Sequence, residues 1–180
     1  LVRSRGLGDV YKRQGVKTVN FVRRPDELRD ELTELGADLV VGEDDGDVVK
    51  NTLARLDGKR PVLASNAVGG ESALRLMDIL APGGSMVTYG AMSRKSIKVP
   101  NGFLIFKGIK LEGLWVTQWL KNAPVSEIEA AYDKLARLMA DGRLKQAVDT
   151  VYPLSDVRKA VEKAQEEFRS GKVVLSMDCA

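Results

Sequence analysis

Histidine is absent from the 180 residues, so neither an imidazole-based triad nor a His-based metal site can come from this chain alone. Cysteine occurs once, as Cys179, which excludes an internal disulfide framework. No apolar run approaches the ~18 residues of a membrane span, and no positively charged segment leads into the apolar core of a signal peptide. A cytoplasmic location is the matching expectation, resting only on the want of a targeting segment. The glycine-rich turn G-x-G-x-x-G, which cradles a dinucleotide pyrophosphate between a strand and a helix, is missing as well. The nearest candidate, Gly6-Leu7-Gly8, has no strand before it.

What is present suffices for a packed domain. Hydrophobic residues make up 44% and charged residues 29%, a balance outside the disordered range. The length suits one compact domain with an appendage. The net charge of +3 invites a nucleic-acid reading until it is located. Residues 1–14, LVRSRGLGDVYKRQ, carry Arg3, Arg5, Lys12 and Arg13 against Asp9, which leaves the rest balanced at 24 basic and 24 acidic residues. A nucleic-acid partner therefore loses its main support. The segment has no helical or strand period and resembles translated adapter sequence joined to a gene. It is expected to be a non-native or disordered leader and is set aside from fold reasoning.

From Gly15 onward the pattern is regular. KTVNFV (17–22) predicts a strand, and Pro25 opens a helix whose first turn holds Asp26 and Glu27. Leu28, Leu32 and Leu35 make one stripe, and Gly36 ends it. DLVV (38–41) is a second strand. Asp47 caps a helix with Val49, Leu53 and Leu56 in line, stopped by Gly58. PVLASN (61–66) predicts a buried strand, Glu71–Leu80 a helix, Pro82-Gly83-Gly84 a turn, and SMVTYG (85–90) and IKLEGLWV (109–116) further strands. Strands alternating with helices of about ten residues imply right-handed βαβ units and a doubly wound parallel sheet of the α/β class. Its first strand and glycine turn are not in the sequence. Beyond residue 122 the order changes. Ser126 and Glu129 suggest a capping box before a helix striped by Ile128, Tyr132, Leu135 and Met139. AVDTVYPL (147–154), a helix from Ser155 to about Arg169, and KVVLSM (172–177) follow. The expected division is a leader, a truncated dinucleotide-binding domain over 15–122, and a C-terminal part over 123–180 that completes it and returns toward a catalytic domain.

Four places could carry chemistry. Arg23 and Arg24 follow the first strand directly. An acidic residue at the second strand end of a dinucleotide fold selects NAD, whereas arginines there can fork onto a 2′-phosphate and select NADP. The bland alternative is a solvated pair at a helix start. Asn66 to Gly70, NAVGG, ends the central strand, where open parallel sheets bind ligands and glycine lets backbone approach a flat ring. The same glycines could simply make the strand-to-helix turn. Thr88 to Ser93, TYGAMS, ends the next strand, with Tyr89 able to pack on a nicotinamide or to serve as half-buried filler. Phe103, Phe106, Trp115 and Trp119 could line an acyl tunnel, or be core and subunit interface.

VRRPDELRDELTELGAD, NAVGGESALRLMDILAPGGSMVTYGAMS, FLIFKGIKLEGLWVTQW and SGKVVLSMD together resemble the medium-chain dehydrogenase/reductase superfamily, and within it the zinc-independent 2-enoyl thioester reductases. LGA and GKVVL are shared widely there; TYGAMS, LIFKG and GLWVTQW are more particular. The resemblance implies NADPH-dependent reduction of a trans-2-enoyl thioester carried on CoA or acyl carrier protein, by a homodimer paired through strand 109–116. It places Arg23 and Arg24 on the 2′-phosphate, and Tyr89, Gly90, Ala91 and Met92 by the nicotinamide. It sets Leu114, Trp115 and Val116 along the cofactor and acyl pocket, with Lys172 approaching from the C-terminal segment. It names no metal site and no catalytic residue here, because that family keeps its proton donor in an N-terminal domain. A quinone or alkenal reductase of the same superfamily and a non-catalytic nucleotide-binding or dimerising module remain alternatives.

Overall fold

The computed structural model describes residues 16–43, 46–166 and 171–177. The basic leader, the far end of the helix expected to reach Arg169, and Cys179 lie outside the described residues. Strand β1 (Val19–Val22) leads to helix α1 (Pro25–Glu34) and strand β2 (Leu39–Gly42). Next come α2 (Val48–Arg55), β3 (Leu63–Asn66), α3 (Gly70–Ile79) and β4 (Ser85–Thr88). The capping expectation for α2 is met, since Asp47 Oδ1 accepts from Lys50 N at 3.1 Å. Every one of these strands pairs in parallel, β1 with β2 and β3 with β4, and β4 pairs in parallel with β5 (Lys110–Gly113). The α/β class with parallel strands is therefore observed.

Alternation along β1 and β2 shows why helices must cover both faces. Phe21 and Val41 point into a core shared with Val48 of α2 and with Leu76, Met77 and Leu80 on and after α3. Val22 and Val40 point the other way, against Leu28 and Leu32 of α1. Ala64 of β3 and Met86 of β4 enter the first of these cores, so the β1-β2 and β3-β4-β5 sheets are built on one apolar interior although no ladder joins them.

The strand at 61–66 is not buried throughout. Val62 and Leu63 are 72% and 54% exposed, because β3 has a paired strand on one side only. The strand expected at 109–116 closes at Gly113, and Val116–Asn122 is a helix, α5. Its cap residue is Trp115, so the bulky GLWV run turns out of the sheet rather than extending it. Asn101–Ile105 forms a short helix, α4, where only an aromatic run was apparent.

Helix α6 spans Val125–Ala140, capped by Pro124 with no side-chain hydrogen bond. The Ser126–Glu129 capping box is therefore not formed. The helix starts two residues earlier than that box would place it, with Pro124 in the cap position, and both residues fall inside it. Strands β6 (Val148–Pro153) and β7 (Lys172–Ser176) pair in parallel, linked by a 3₁₀ turn at Leu154–Asp156 and helix α7 (Val157–Gln165).

Candidate cofactor site

The carboxyl ends of both central sheets meet at one rim. Ser72 Oγ, in the first turn of α3 after β3, donates to Glu43 Oε1 at 2.8 Å, and Glu43 directly follows β2. The loops after β3 and β4 then continue as a backbone zipper. Tyr89 N donates to Asn66 O, Met92 N to Ala67 O and Ser93 N to Val68 O, each at 3.0 Å, and Leu114 N donates to Thr88 O at 2.9 Å. Ser93 Oγ adds a 2.6 Å bond to Val68 O. NAVGG, TYGAMS and the start of GLWV thus sit side by side, as the strand ends require.

Side-chain chemistry locks this plate from below. Asn66 is fully buried. Its Oδ1 accepts from Val68 N at 3.1 Å and Gly69 N at 3.0 Å, while its Nδ2 donates to Thr88 Oγ1 at 3.1 Å. Gly69 itself adopts φ +81°, and a Cβ there would lie 2.8 Å from Lys95 O. Conformation and space both demand glycine at this position. At Gly90 a Cβ would come within 3.0 Å of Ala67 O, so the two loops approach as closely as backbone allows.

The residues singled out from sequence fall into four groups. Tyr89, Gly90, Ala91 and Met92 occupy the loop after β4, with Tyr89 40% and Met92 65% exposed. Leu114, Trp115 and Val116 are about half to two-thirds exposed beside it. With Trp119, Gln118 and Glu127 the first two line an open cleft of about 420 Å³, in whose lining Trp119 Nε1 donates to Glu127 Oε1 at 3.0 Å. Arg23 and Arg24 stand at the end of β1. Arg24 forms an ion pair with Glu27 three residues on, so its guanidinium is already shared with a carboxylate inside the helix. Lys172 opens β7 and is tied by its backbone to Ala147 O. It belongs to a different sheet from the rim, and among the described residues no hydrogen bond or ion pair joins it to the other three groups. Sequence reasoning missed the Asn66–Thr88 link. Its only outward sign is an asparagine closing an otherwise apolar strand.

A family model described as zinc-binding dehydrogenase matches residues 35–175. The chain is 39% identical over 165 residues to the mitochondrial enoyl-[acyl-carrier-protein] reductase of Mus musculus, covering 90% of this chain and 44% of that protein. It thus spans a little under half the length of that relative. Among solved structures, a mutant form of enoyl thioester reductase from Candida tropicalis superposes with a TM-score of 0.77 at 26% identity, over 94% of this chain and 49% of that one. An NAD-dependent alcohol dehydrogenase superposes at 0.79 with 21% identity, over 97% and 48%, a likeness of fold alone. Despite the family's description, the described residues contain no group of three or more His, Cys, Asp or Glu able to hold a metal ion. No zinc chemistry is assigned to them.

Proposed function

The chain belongs to the zinc-binding dehydrogenase family, within the medium-chain dehydrogenase/reductase superfamily, and from that premise we propose that it is the cofactor-binding part of an NADPH-dependent reductase of trans-2-enoyl thioesters. What supports this most is the 39% identity to an enoyl-[acyl-carrier-protein] reductase over nine-tenths of the chain. The rim supplies residues that suit the cofactor's two ends. Arg23 and Arg24 offer guanidiniums to a 2′-phosphate, Arg24 by exchanging Glu27 for it. The loop Tyr89–Met92 and the adjoining Leu114–Val116 offer a flat, half-apolar wall to a nicotinamide and to an acyl chain. Lys172 is part of this reading only if β7 is carried to the rim in the whole protein.

When bound, the reduced nicotinamide supplies a hydride to Cβ of the enoyl group. This chain's own part is to hold and orient. The zippered loops fix the plate on which the ring lies, and the Leu114–Trp115 wall keeps water from the acyl side. Charge developing on the thioester oxygen needs a donor in place, and that donor, like the pyrophosphate turn, is assigned to a segment outside the sequence. In this reading residues 15–122 are a dinucleotide domain lacking its first strand, which would lie between the unjoined β1 and β3. Residues 123–180 complete it and lead to the catalytic domain. The substrate is an enoyl-CoA or enoyl-acyl carrier protein, and the assembly is a homodimer.

The test is crotonyl-CoA-dependent oxidation of NADPH. The 180-residue chain alone is expected to show none, since it lacks both positioning of the phosphates and the proton donor. Fused behind the N-terminal half of the mouse relative, it is expected to turn over. Replacing Arg23 and Arg24 by Ala in that fusion should weaken NADPH about ten- to hundredfold while barely changing NADH. A folded fusion that binds NADPH but leaves crotonyl-CoA untouched would overturn the substrate assignment, and equal loss of both cofactors would overturn the role of the arginines.

A further inference from the structure

Hydrogen-bond polarity at the rim can be followed from one atom to the next. Asn66 Oδ1 receives two backbone N–H groups, from Val68 and Gly69, which fixes it as the oxygen and not the nitrogen of the amide. Nδ2 is then the atom facing Thr88, and it can only donate. Thr88 Oγ1 must accept that bond, so its own proton points elsewhere. That hydroxyl has no other partner in the described chain. Thr88 is half-buried and closes β4, directly before the loop holding Tyr89–Met92. A buried amide has thereby turned a hydroxyl, which could donate either way, into a donor reserved for an outside acceptor at the strand end.

We infer that Thr88 is a binding residue that donates its hydroxyl proton to the carboxamide oxygen of a nicotinamide, and that Asn66 is the positioning residue that sets this polarity. The inference rests on the cofactor reading above and adds a residue pair to it. A planar ring lying on the glycine-rich plate presents its amide carbonyl as a strong sp² acceptor, and five backbone donors of the plate are already engaged. Tyr89, Met92 and Ser93 N–H groups all go to the neighbouring loop, and those of Val68 and Gly69 go to Asn66. The Thr88 hydroxyl is a side-chain donor that those loops leave over.

Asn66→Asp separates a donor role from a merely structural one. The carboxylate can still accept from Val68 and Gly69, but its second oxygen must also accept, and it pulls the Thr88 proton inward. The link between the loops survives while the outward donor is lost. Thr88→Val removes the donor outright, and Thr88→Ser keeps it. The readout is saturation-transfer NMR of NADPH on the full 180-residue chain, comparing nicotinamide-ring with adenine protons in one spectrum. The native chain is expected to saturate both rings. Asn66→Asp and Thr88→Val should each lower the nicotinamide-to-adenine ratio about fivefold, the scale of one hydrogen bond, and Thr88→Ser should restore it. The double variant should be no worse than either single one. If burial of the charge prevents Asn66→Asp from folding, the Thr88→Val and Thr88→Ser pair decides. A Thr88→Val ratio equal to the native one overturns the inference, as does an Asn66→Asp that folds and keeps the native ratio. Saturation of adenine alone in the native chain overturns it too, while leaving the cofactor domain standing. Saturation of neither ring overturns the cofactor reading together with this one.

Discussion

Lys107, in the LIFKG segment, shows how a motif residue can serve the fold without touching the site. Its Nζ donates to Met77 O at 3.2 Å and Asp78 O at 2.6 Å, at the end of α3, and lies 4.8 Å from the centroid of the Phe103 ring. Arg60 donates to Asp78 O at 2.7 Å from the other side. Together they satisfy carbonyls that a helix end leaves open. Burial pushes the Lys107 ammonium below its ordinary 10.5, with Arg60 pushing the same way and Asp78 opposing. The folded state therefore binds fewer protons than the unfolded one between the folded value and 10.5. In that alkaline window the Lys107 contribution makes stability rise with pH. Chemical denaturation across the window should show a rise for the native chain relative to Lys107→Arg, which cannot deprotonate there. Parallel curves would refute it. At this scale the candidate site was partly legible. Arg23 and Arg24 stood out because a strand end and a charge type coincide. Asn66 and Thr88 each fell within a marked motif, but the bond between them did not show, since it depends on the register that sets Asn66 opposite Thr88, and register is a property of two strands rather than of either sequence.

Glycines mark where elements begin and end, and two of them separate strain from crowding. Gly58 closes the turn after α2 at φ +73° with nothing within 4 Å of the place a methyl group would take, whereas Gly69, the cap of α3, combines φ +81° with Lys95 O at 2.8 Å. Gly58→Ala should cost only the left-handed penalty, about 1–2 kcal/mol. Gly69→Ala should cost that and the displacement of the 93–95 loop, about 1–3 kcal/mol more. Thermal unfolding of the two variants side by side checks this, and equal losses would mean that the loop yields freely. The same punctuation explains why most elements from β1 to β4 could be placed from sequence: each strand is an apolar run, each helix a stripe, each boundary a glycine or proline. Legibility failed where a competing local rule won. Trp115 and Val116 have strand propensity, yet they leave the sheet to start α5. Ser126 and Glu129 have capping-box spacing, yet Pro124 starts the helix ahead of them.

Across the whole molecule, apolar side chains lie outside the core on three separate features. Strand β5 is exposed at all four residues and pairs on one side only. Phe106 is 85% and Trp115 66% exposed at either end of it. On α6 the stripe expected to face a core, Tyr132, Leu135 and Met139, is about half exposed at each position. On β6 and β7 no residue is fully buried. A single chain that presents an open strand edge flanked by aromatics has both a ladder and a dry surface to offer another copy. Lys110 and Glu112 put charges along the same strand, and Leu111 is the apolar position between them. We therefore expect the purified chain to self-associate through β5, with light scattering giving a mass above that of one chain and rising with concentration. Leu111→Lys places a charge on the edge strand and should shift the mass toward the monomer, because adding a second copy would then bury that ammonium without a partner. A substitution on α6, Leu135→Lys, serves as the comparison: it removes apolar surface but no ladder. If both variants lower the mass equally, association is general stickiness of exposed apolar surface. If Leu111→Lys alone does, the edge pairs. A clean monomer of the native chain at all concentrations would show that β5 does not pair and that the homodimer proposed for the whole protein needs another surface.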